Sequence, residues 1–226
     1  MRRGVRATSL KSEAPGPRNR HGQRSRPASG PSARPARFET EMLALRARLA
    51  PLLEARRNVV IGVTSCGPEE GVTTISRELS RVLATDEMEV LLCGPCGDLS
   101  TSSNTSPGER KITRTVVPHL SFAEINDLHR ETCDRRSILA FRAWLERVKS
   151  NYAVTILDTP PIIELGGWET LFRLEDGLLL VLEAERTRTS VIRATLDTIE
   201  GAGGNVLGIV FNCRRWIIPE TVYKWL

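Results

Sequence analysis

The 226-residue chain lacks several things that whole classes of protein require. No apolar run approaches the roughly 18 residues of a membrane-crossing helix, so no transmembrane segment is expected. No apolar stretch follows the N-terminal arginines, so a secretory leader is not expected either. Cysteines number five, an odd count with uneven spacing, which argues against a disulfide framework and for a reducing compartment. The three histidines, His21, His119 and His129, show no metal-ligand spacing. Aromatic residues make up only 5%, and tyrosine occurs twice, at Tyr152 and Tyr223. The composition that remains, 40% hydrophobic and 26% charged, suits a globular domain with room for one sizeable core.

Acidic residues are scarce in one place. Residues 1–37 hold a single acid, Glu13, against ten bases: Arg2, Arg3, Arg6, Lys11, Arg18, Arg20, Arg24, Arg26, Arg34 and Arg37. Their net charge is +9, while the other 22 bases and 26 acids give the rest of the chain −4. The segment is rich in Arg, Pro, Ser and Gly and nearly free of large apolar side chains, so 1–37 is expected to be disordered and 38–226 to form the folded domain. Two readings of the tail stand: a solvated extension without a specific partner, or an electrostatic arm for anionic membrane or an acidic protein face. Nucleic acid is not favoured, because no aromatics are interleaved for stacking and the folded part is mildly acidic.

From Phe38 onward, strand and helix signals alternate. Met42, Leu45, Leu49, Leu52 and Leu53 share one face of a helix spanning Glu39 to Arg56. Buried strands are expected at Val59–Val63, Glu89–Cys93, Ala153–Leu157, Leu178–Leu182 and Val206–Phe211, with a short one near His119–Ile125. Helices fall between them: one with Ile75, Leu79, Val82 and Leu83 inward, one over Arg135–Val148, and one with Val191, Ile192, Leu196 and Ile199 on a single face. Residues 94–113 read as a long Ser/Thr/Gly/Pro loop. This order predicts an α/β protein: a doubly wound, mostly parallel sheet with helices on both faces. Ligands bind such sheets beyond the carboxyl ends of the strands, so the residues that follow each strand carry the chemistry.

The first strand is followed by Thr64-Ser65-Cys66-Gly67-Pro68-Glu69-Glu70-Gly71-Val72-Thr73-Thr74 and then a helix. A phosphate-cradling loop needs glycines to expose backbone N–H groups, a Lys for the outer phosphates and a Ser/Thr hydroxyl for Mg²⁺. Gly67, Gly71, Thr73 and Thr74 meet the requirement, whereas Val72 stands in the Lys position. Alone, the stretch reads equally as an ordinary strand-to-helix turn. The segment Ala153 to Pro161 adds an apolar strand that delivers Asp158 at its end, where a nucleotidase holds its metal.

Together these features resemble the cytoplasmic domain of the bacterial tyrosine kinases of capsule and exopolysaccharide synthesis, relatives of the ParA/MinD ATPases with a P-loop NTPase-like fold. The family's phosphate loop is matched by Thr64, Ser65, Pro68, Glu70, Gly71, Thr73 and Thr74. Its Asp-Thr-Pro-Pro segment is intact at Asp158 to Pro161, its "aDgvllVv" strand is matched by Asp176 to Val181, and its late Leu-Gly-Val-Val-x-Asn stretch by Leu207 to Asn212. The resemblance implies a Mg-ATP site with Thr73 and Asp158 at the metal and Asn212 near the adenine, Asp158 being the catalytic residue of an active enzyme.

The departures are equally specific. Val72 replaces the catalytic Lys and Glu69 a loop Gly. Gly94, Pro95 and Cys96 stand where an Asp-x-Asp motif supplies carboxylates, with Asp98 nearby. Of the oligomerisation motif only Arg46 survives, with Leu43 at its first Arg position and Glu39 and Glu41 beside its Glu position. The C-terminal tyrosine cluster is missing. The expected protein is therefore a catalytically degenerate kinase, binding Mg-ATP weakly or not at all. It would act as a regulatory or interaction module in polysaccharide synthesis or export.

Its implied partners are an inner-membrane polysaccharide co-polymerase or kinase-activator protein, and itself or an active paralogue. Its implied location is the cytoplasm, at the inner face of the membrane. Two alternatives stay open: an active ATP-binding kinase or ATPase, and a ParA/MinD-like positioning factor. Cys93-Gly94-Pro95-Cys96 has the spacing of a redox dithiol, but no helix follows to lower a thiol pKa. Cys66, Cys96 and Cys213 all follow strands at one sheet edge, as a metal or redox cluster or as small packing residues.

Overall fold

A computed structural model of the chain describes residues 36–85, 88–95, 110–125, 135–164 and 168–213. Nearly all of the expected basic tail lies outside the described residues, as do Cys96, Asp98 and Tyr223. The elements in order are α1 (Ala36–Ala55), β1 (Val59–Ser65), α2 (Val72–Ala84), β2 (Val90–Gly94), β3 (Ile112–Arg114), β4 (Leu120–Glu124), α3 (Arg135–Val148), β5 (Val154–Asp158), β6 (Gly177–Glu183), α4 (Thr189–Gly201) and β7 (Val206–Asn212). Short 3₁₀ turns at Ile162–Glu164 and Trp168–Arg173 lie between β5 and β6.

The strands form one sheet in the order β3-β4-β2-β5-β1-β6-β7. Among the described residues every pairing is parallel except β3 with β4. β1 lies between β5 and β6, and all seven of its residues are buried. Side chains alternate across a strand, so Val59, Ile61 and Val63 face one layer and Val60 the other. The first layer packs Met42 and Leu49 of α1 and Ile75, Leu79 and Leu83 of α2 on the sheet. The second brings Phe141, Trp144 and Leu145 of α3 against Val60, Leu91, Leu157 and Leu178. Parallel strands covered on both faces explain why the sequence shows continuous apolar runs there rather than alternation.

The observed sheet departs from the sequence reading in three places. β3 begins inside the expected 94–113 loop; three antiparallel residues on the sheet edge carry too little pattern to be read. Val191, expected on the inner face of α4, is 42% exposed: it stands in the first turn of the helix, whose buried residues, Thr195 and Ile199, come one and two turns later. β7 has the composition of a buried strand, yet it is the last strand of the sheet among the described residues, and Ile209 and Phe211 are exposed.

One buried group is unmatched. Glu175, just before β6, is 8% exposed, and neither carboxyl oxygen has a hydrogen-bond partner among the described residues. Its carboxyl lies against Gly62 of β1, inside contact distance of any Cβ built there, so a larger residue at 62 would force the Glu175 side chain to move. Its neighbour Asp176 is well served, accepting from the Val60 N–H at 2.9 Å and from Arg56 at 2.5 Å. Burial pushes the Glu175 carboxyl well above its ordinary value, so the folded state holds it as the neutral acid.

A raised acid stabilises the fold fully below the unfolded-state pKa near 4.5. It loses about 1.4 kcal/mol per pH unit above it, up to the folded-state pKa. Glu175→Gln removes that loss. Urea unfolding at pH 5, 6 and 7 should show the variant gaining on the natural chain as the pH rises; parallel pH profiles would refute the assignment.

Candidate functional site

The carboxyl ends of β1, β2 and β5 meet at one edge of the sheet, where the register sets Val63 beside Asp158 and Cys93 beside Leu157. The turn after β5 is tied to β1 by two side chains. The Thr64 hydroxyl donates to the Pro160 carbonyl at 2.8 Å, and the Thr159 hydroxyl to the Val63 carbonyl at 3.0 Å. Between this turn and the loop after β1 lies a cavity of about 290 Å³, lined among others by Glu69, Gly71, Val72, Thr73, Asp158 and Glu164.

The loop is shaped by Glu70. Its carboxylate is 6% exposed and accepts the backbone N–H of Cys66 at 2.8 Å and of Gly67 at 3.0 Å. Its other oxygen accepts a short hydrogen bond from the Thr187 hydroxyl, in the turn after β6. The Glu70 carbonyl accepts from Asn212 Nδ2 at 2.9 Å, which pins the loop to the end of β7. Gly71 caps α2 with φ +94°, and the Asn212 amide occupies the place a Cβ would take, so the position demands glycine twice over. Glu69 holds φ +63° without that freedom, at a cost of about 1–2 kcal/mol.

Thr73 on the first turn of α2 hydrogen-bonds to Asp158, so the two expected metal-holding oxygens converge. Asp158 is 3% exposed. Burial pushes its carboxyl up to about 6, against the opposing pull of the Thr73 hydroxyl and the Arg77 guanidinium. It is thus ionised at neutral pH and takes a proton as the pH falls through 6. The end of β2 reaches the site without a carboxylate: a Cβ at Gly94 would lie 3.2 Å from the Asp158 Cβ, and Pro95 lines the cavity. Val72 is 9% exposed and packs into the α1–α2 core layer, so its position offers the cavity an apolar wall and no donor.

Gly71, Thr73, Thr74 and Asp158 line the cavity, while Gly67 and Asn212 contribute to the loop behind it. Arg46 lies on α1 and does not line the cavity. Cys66 is buried and Cys213 exposed, and Cys96 falls outside the described residues. Burial raises the Cys66 thiol, partly offset by a hydrogen bond with Thr195. Among the described residues no group of three His, Cys, Asp or Glu side chains is placed to hold a metal. Sequence reasoning missed Thr187 and Arg77. Thr187 follows a strand end, and Arg77 stands one helical turn after Thr73; both signals are present but weak.

Glu69 and Glu70 are adjacent acids with opposite expected effects. Glu70→Ala leaves the buried Cys66 N–H, the half-buried Gly67 N–H and the Thr187 hydroxyl without their carboxyl acceptor, a loss of about 3 kcal/mol or more. Glu69→Gly relieves the left-handed strain and, after the added chain entropy of glycine, should gain roughly 0.5–1 kcal/mol. Thermal or urea unfolding of the two variants checks this; equal effects of the same sign contradict the loop geometry.

No protein-family model matches the chain. Among characterised proteins it is 25% identical over 178 residues to the tyrosine-protein kinase CpsD of Streptococcus agalactiae serotype III, covering 70% of this chain and 75% of that one. Among solved structures it is similar to the kinase domain of the Escherichia coli tyrosine kinase ETK, with a TM-score of 0.63 and 20% identity over 80% of this chain and 78% of that one. It is also similar to the MinD cell division protein of Aquifex aeolicus, with a TM-score of 0.56 and 19% identity over 74% and 72%. By sequence and by fold, the chain is a homologue of the bacterial tyrosine-protein kinases, built on a P-loop fold of the ParA/MinD type.

Proposed function

We propose that the chain is a catalytically degenerate member of this kinase group, serving as a regulatory or interaction module in capsule or exopolysaccharide synthesis or export. The observation that carries the reading is the electrostatics of the cavity. The position that should present an ammonium holds Val72, packed into the core, while Glu69, Glu164 and Asp158 line the walls. Phosphoryl transfer depends on positioning and on neutralising developing charge. Here positioning is retained and neutralisation is depleted.

The residues still fit a weak Mg-nucleotide site. Thr73 and Asp158 would hold the metal, and the backbone at the start of α2 would face the phosphates. When bound, Mg-ATP supplies the phosphoryl group and the counter-charge to it. The chain's own residues orient it through the loop that Glu70 braces. Removing one partner of a desolvated charge pair costs about 2–5 kcal/mol, roughly 30- to 4,000-fold in affinity. Calorimetry should therefore find ATP-Mg binding at about 0.1 mM or weaker, with the Mg-dependent part fading below pH 6 as Asp158 gains its proton. A radiolabel assay should detect no autophosphorylation. Val72→Lys should recover some affinity and almost no transfer, because Gly94 supplies no carboxylate and Glu69 still crowds the loop. Strong tyrosine phosphorylation by the natural chain would replace this reading with the active kinase, which the convergence of Thr73 and Asp158 favours.

The partners that suit this role are an inner-membrane co-polymerase or kinase activator and a second copy or active paralogue, with Arg46 a candidate contact for the latter. The +9 segment would add attraction to the anionic inner leaflet, at about 1 kcal/mol per base near the surface. Full-length protein should co-sediment with phosphatidylserine-containing vesicles, less so as salt rises, and better than a chain beginning at Pro35. Equal sedimentation of the two chains counts against the arm.

A further inference from the structure

Asp158 is a carboxylate at 3% exposure, and a charge taken out of water needs an opposite charge, a metal or a proton beside it. The Thr73 hydroxyl that bonds to it is neutral. A charge comes from the next turn of α2. Ile75, Leu79 and Leu83 fix the rotation of that helix on the sheet, in one layer with Ile156 of β5. Thr73 stands in the first turn, and Arg77 follows four residues later on the same face. Helical side chains lean toward the N-terminus, so a long side chain at 77 reaches back over the turn that carries Thr73. The Arg77 guanidinium is half-buried, keeps its charge across the physiological pH range, and pulls on the Asp158 carboxyl in favour of its ionised form.

Two cations can therefore serve Asp158. One is a divalent ion held by Thr73 and Asp158, which exchanges with the solution. The other is the guanidinium, which the chain carries permanently. A divalent ion at Asp158 has to stand near that fixed positive charge, and the two repel. For charges about 10 Å apart the repulsion lowers affinity by about 4-fold at the dielectric constant of water, and by about 200-fold at that of a partly buried site. Glu69 and Glu164 also line the cavity and attract cations, but both are exposed, where salt weakens them. The half-buried Arg77 and the buried Asp158 are screened less.

We propose that Arg77 is the resident counter-cation of Asp158 and competes there with Mg²⁺, so that it sets how far nucleotide binding depends on the metal. This role rests on Thr73 and Asp158 being the metal position of the cavity. With the guanidinium in place, the site takes a free nucleotide more readily, relative to its Mg²⁺ complex, than Thr73 and Asp158 alone would allow. Val72 removes the cation that would meet the outer phosphates, while Arg77 adds one beside the metal position.

Titration of the full chain with Mn²⁺ alone, followed by electron paramagnetic resonance, tests this without nucleotide or turnover. The pH is held at 8, where the Asp158 carboxyl is ionised. Arg77→Gln should bind Mn²⁺ at least about 4-fold more tightly than the natural chain at low salt, and the gain should shrink as salt rises. Arg77→Lys keeps the charge and should match the natural chain. Arg77→Gln combined with Asp158→Asn should lose the gain, which locates the effect at Asp158. Urea unfolding checks each variant; where Arg77→Gln lowers the midpoint, Arg77→Met, which keeps an apolar stem, decides by the same readings. Mn²⁺ binding that needs Asp158 but does not change in the uncharged variants overturns the role of Arg77 and leaves the metal position standing. An Arg77→Lys variant that behaves like Arg77→Gln, or a gain that survives Asp158→Asn, also overturns it. Absence of Mn²⁺ binding in every variant overturns both the role and the metal position.

Discussion

The candidate site depends on one buried carboxylate. Glu70 is almost fully enclosed: its carboxyl oxygens accept from two backbone N–H groups and a hydroxyl, and its backbone carbonyl accepts from the Asn212 amide. A carboxylate removed from water is tolerated only when its acceptor capacity is filled, so each of these donors is a condition of the loop's shape. The donors come from the loop itself, from the turn after β6 and from the end of β7. Glu70 therefore joins three carboxyl-terminal strand connections that the sheet topology brings side by side.

Shape and charge come apart in this cavity. The parts that set shape are all present: glycine at the left-handed cap of α2, the Glu70 brace, and the Thr64 and Thr159 bonds that fix the turn after β5. The parts that would handle phosphate charge are reduced to the Thr73–Asp158 pair, with Arg77 acting on Asp158 from the next helical turn. Stability keeps the first set whatever the protein does, because a broken brace exposes buried donors. Only catalysis keeps the second. A family whose loop serves both ends can thus lose the chemistry and preserve the fold.

Much of the fold was legible because parallel strands covered on both faces leave uninterrupted apolar runs. The ends of those runs located Asp158 and the loop after β1. What stayed hidden depends on long-range placement. Thr187 and Glu70 are 117 residues apart, and no local pattern links them. The enclosure of Glu175 depends on Gly62 of β1, which is distant in sequence and opens the space that holds the carboxyl. The exposure of Phe211 goes with β7 being last in the order of the described strands, and the sequence of β7 does not reveal that. β3 is three residues at an edge beyond a Ser- and Gly-rich stretch, too short for any period to show.

Glu69 bears most directly on what the loop is for. A side chain at φ +63° holds about 1–2 kcal/mol of strain that glycine at the same place would not. It also lines the cavity with a negative charge where phosphate oxygens would approach. The charge opposes nucleotide binding, and neither effect improves the hydrogen bonds that hold the loop, since Glu70 alone supplies that carboxylate. Val72 acts in the same direction but gains something for the fold, because its side chain fills the layer between α1, α2 and the sheet. The loop's stabilising contacts thus run to the turn after β6 and to the end of β7.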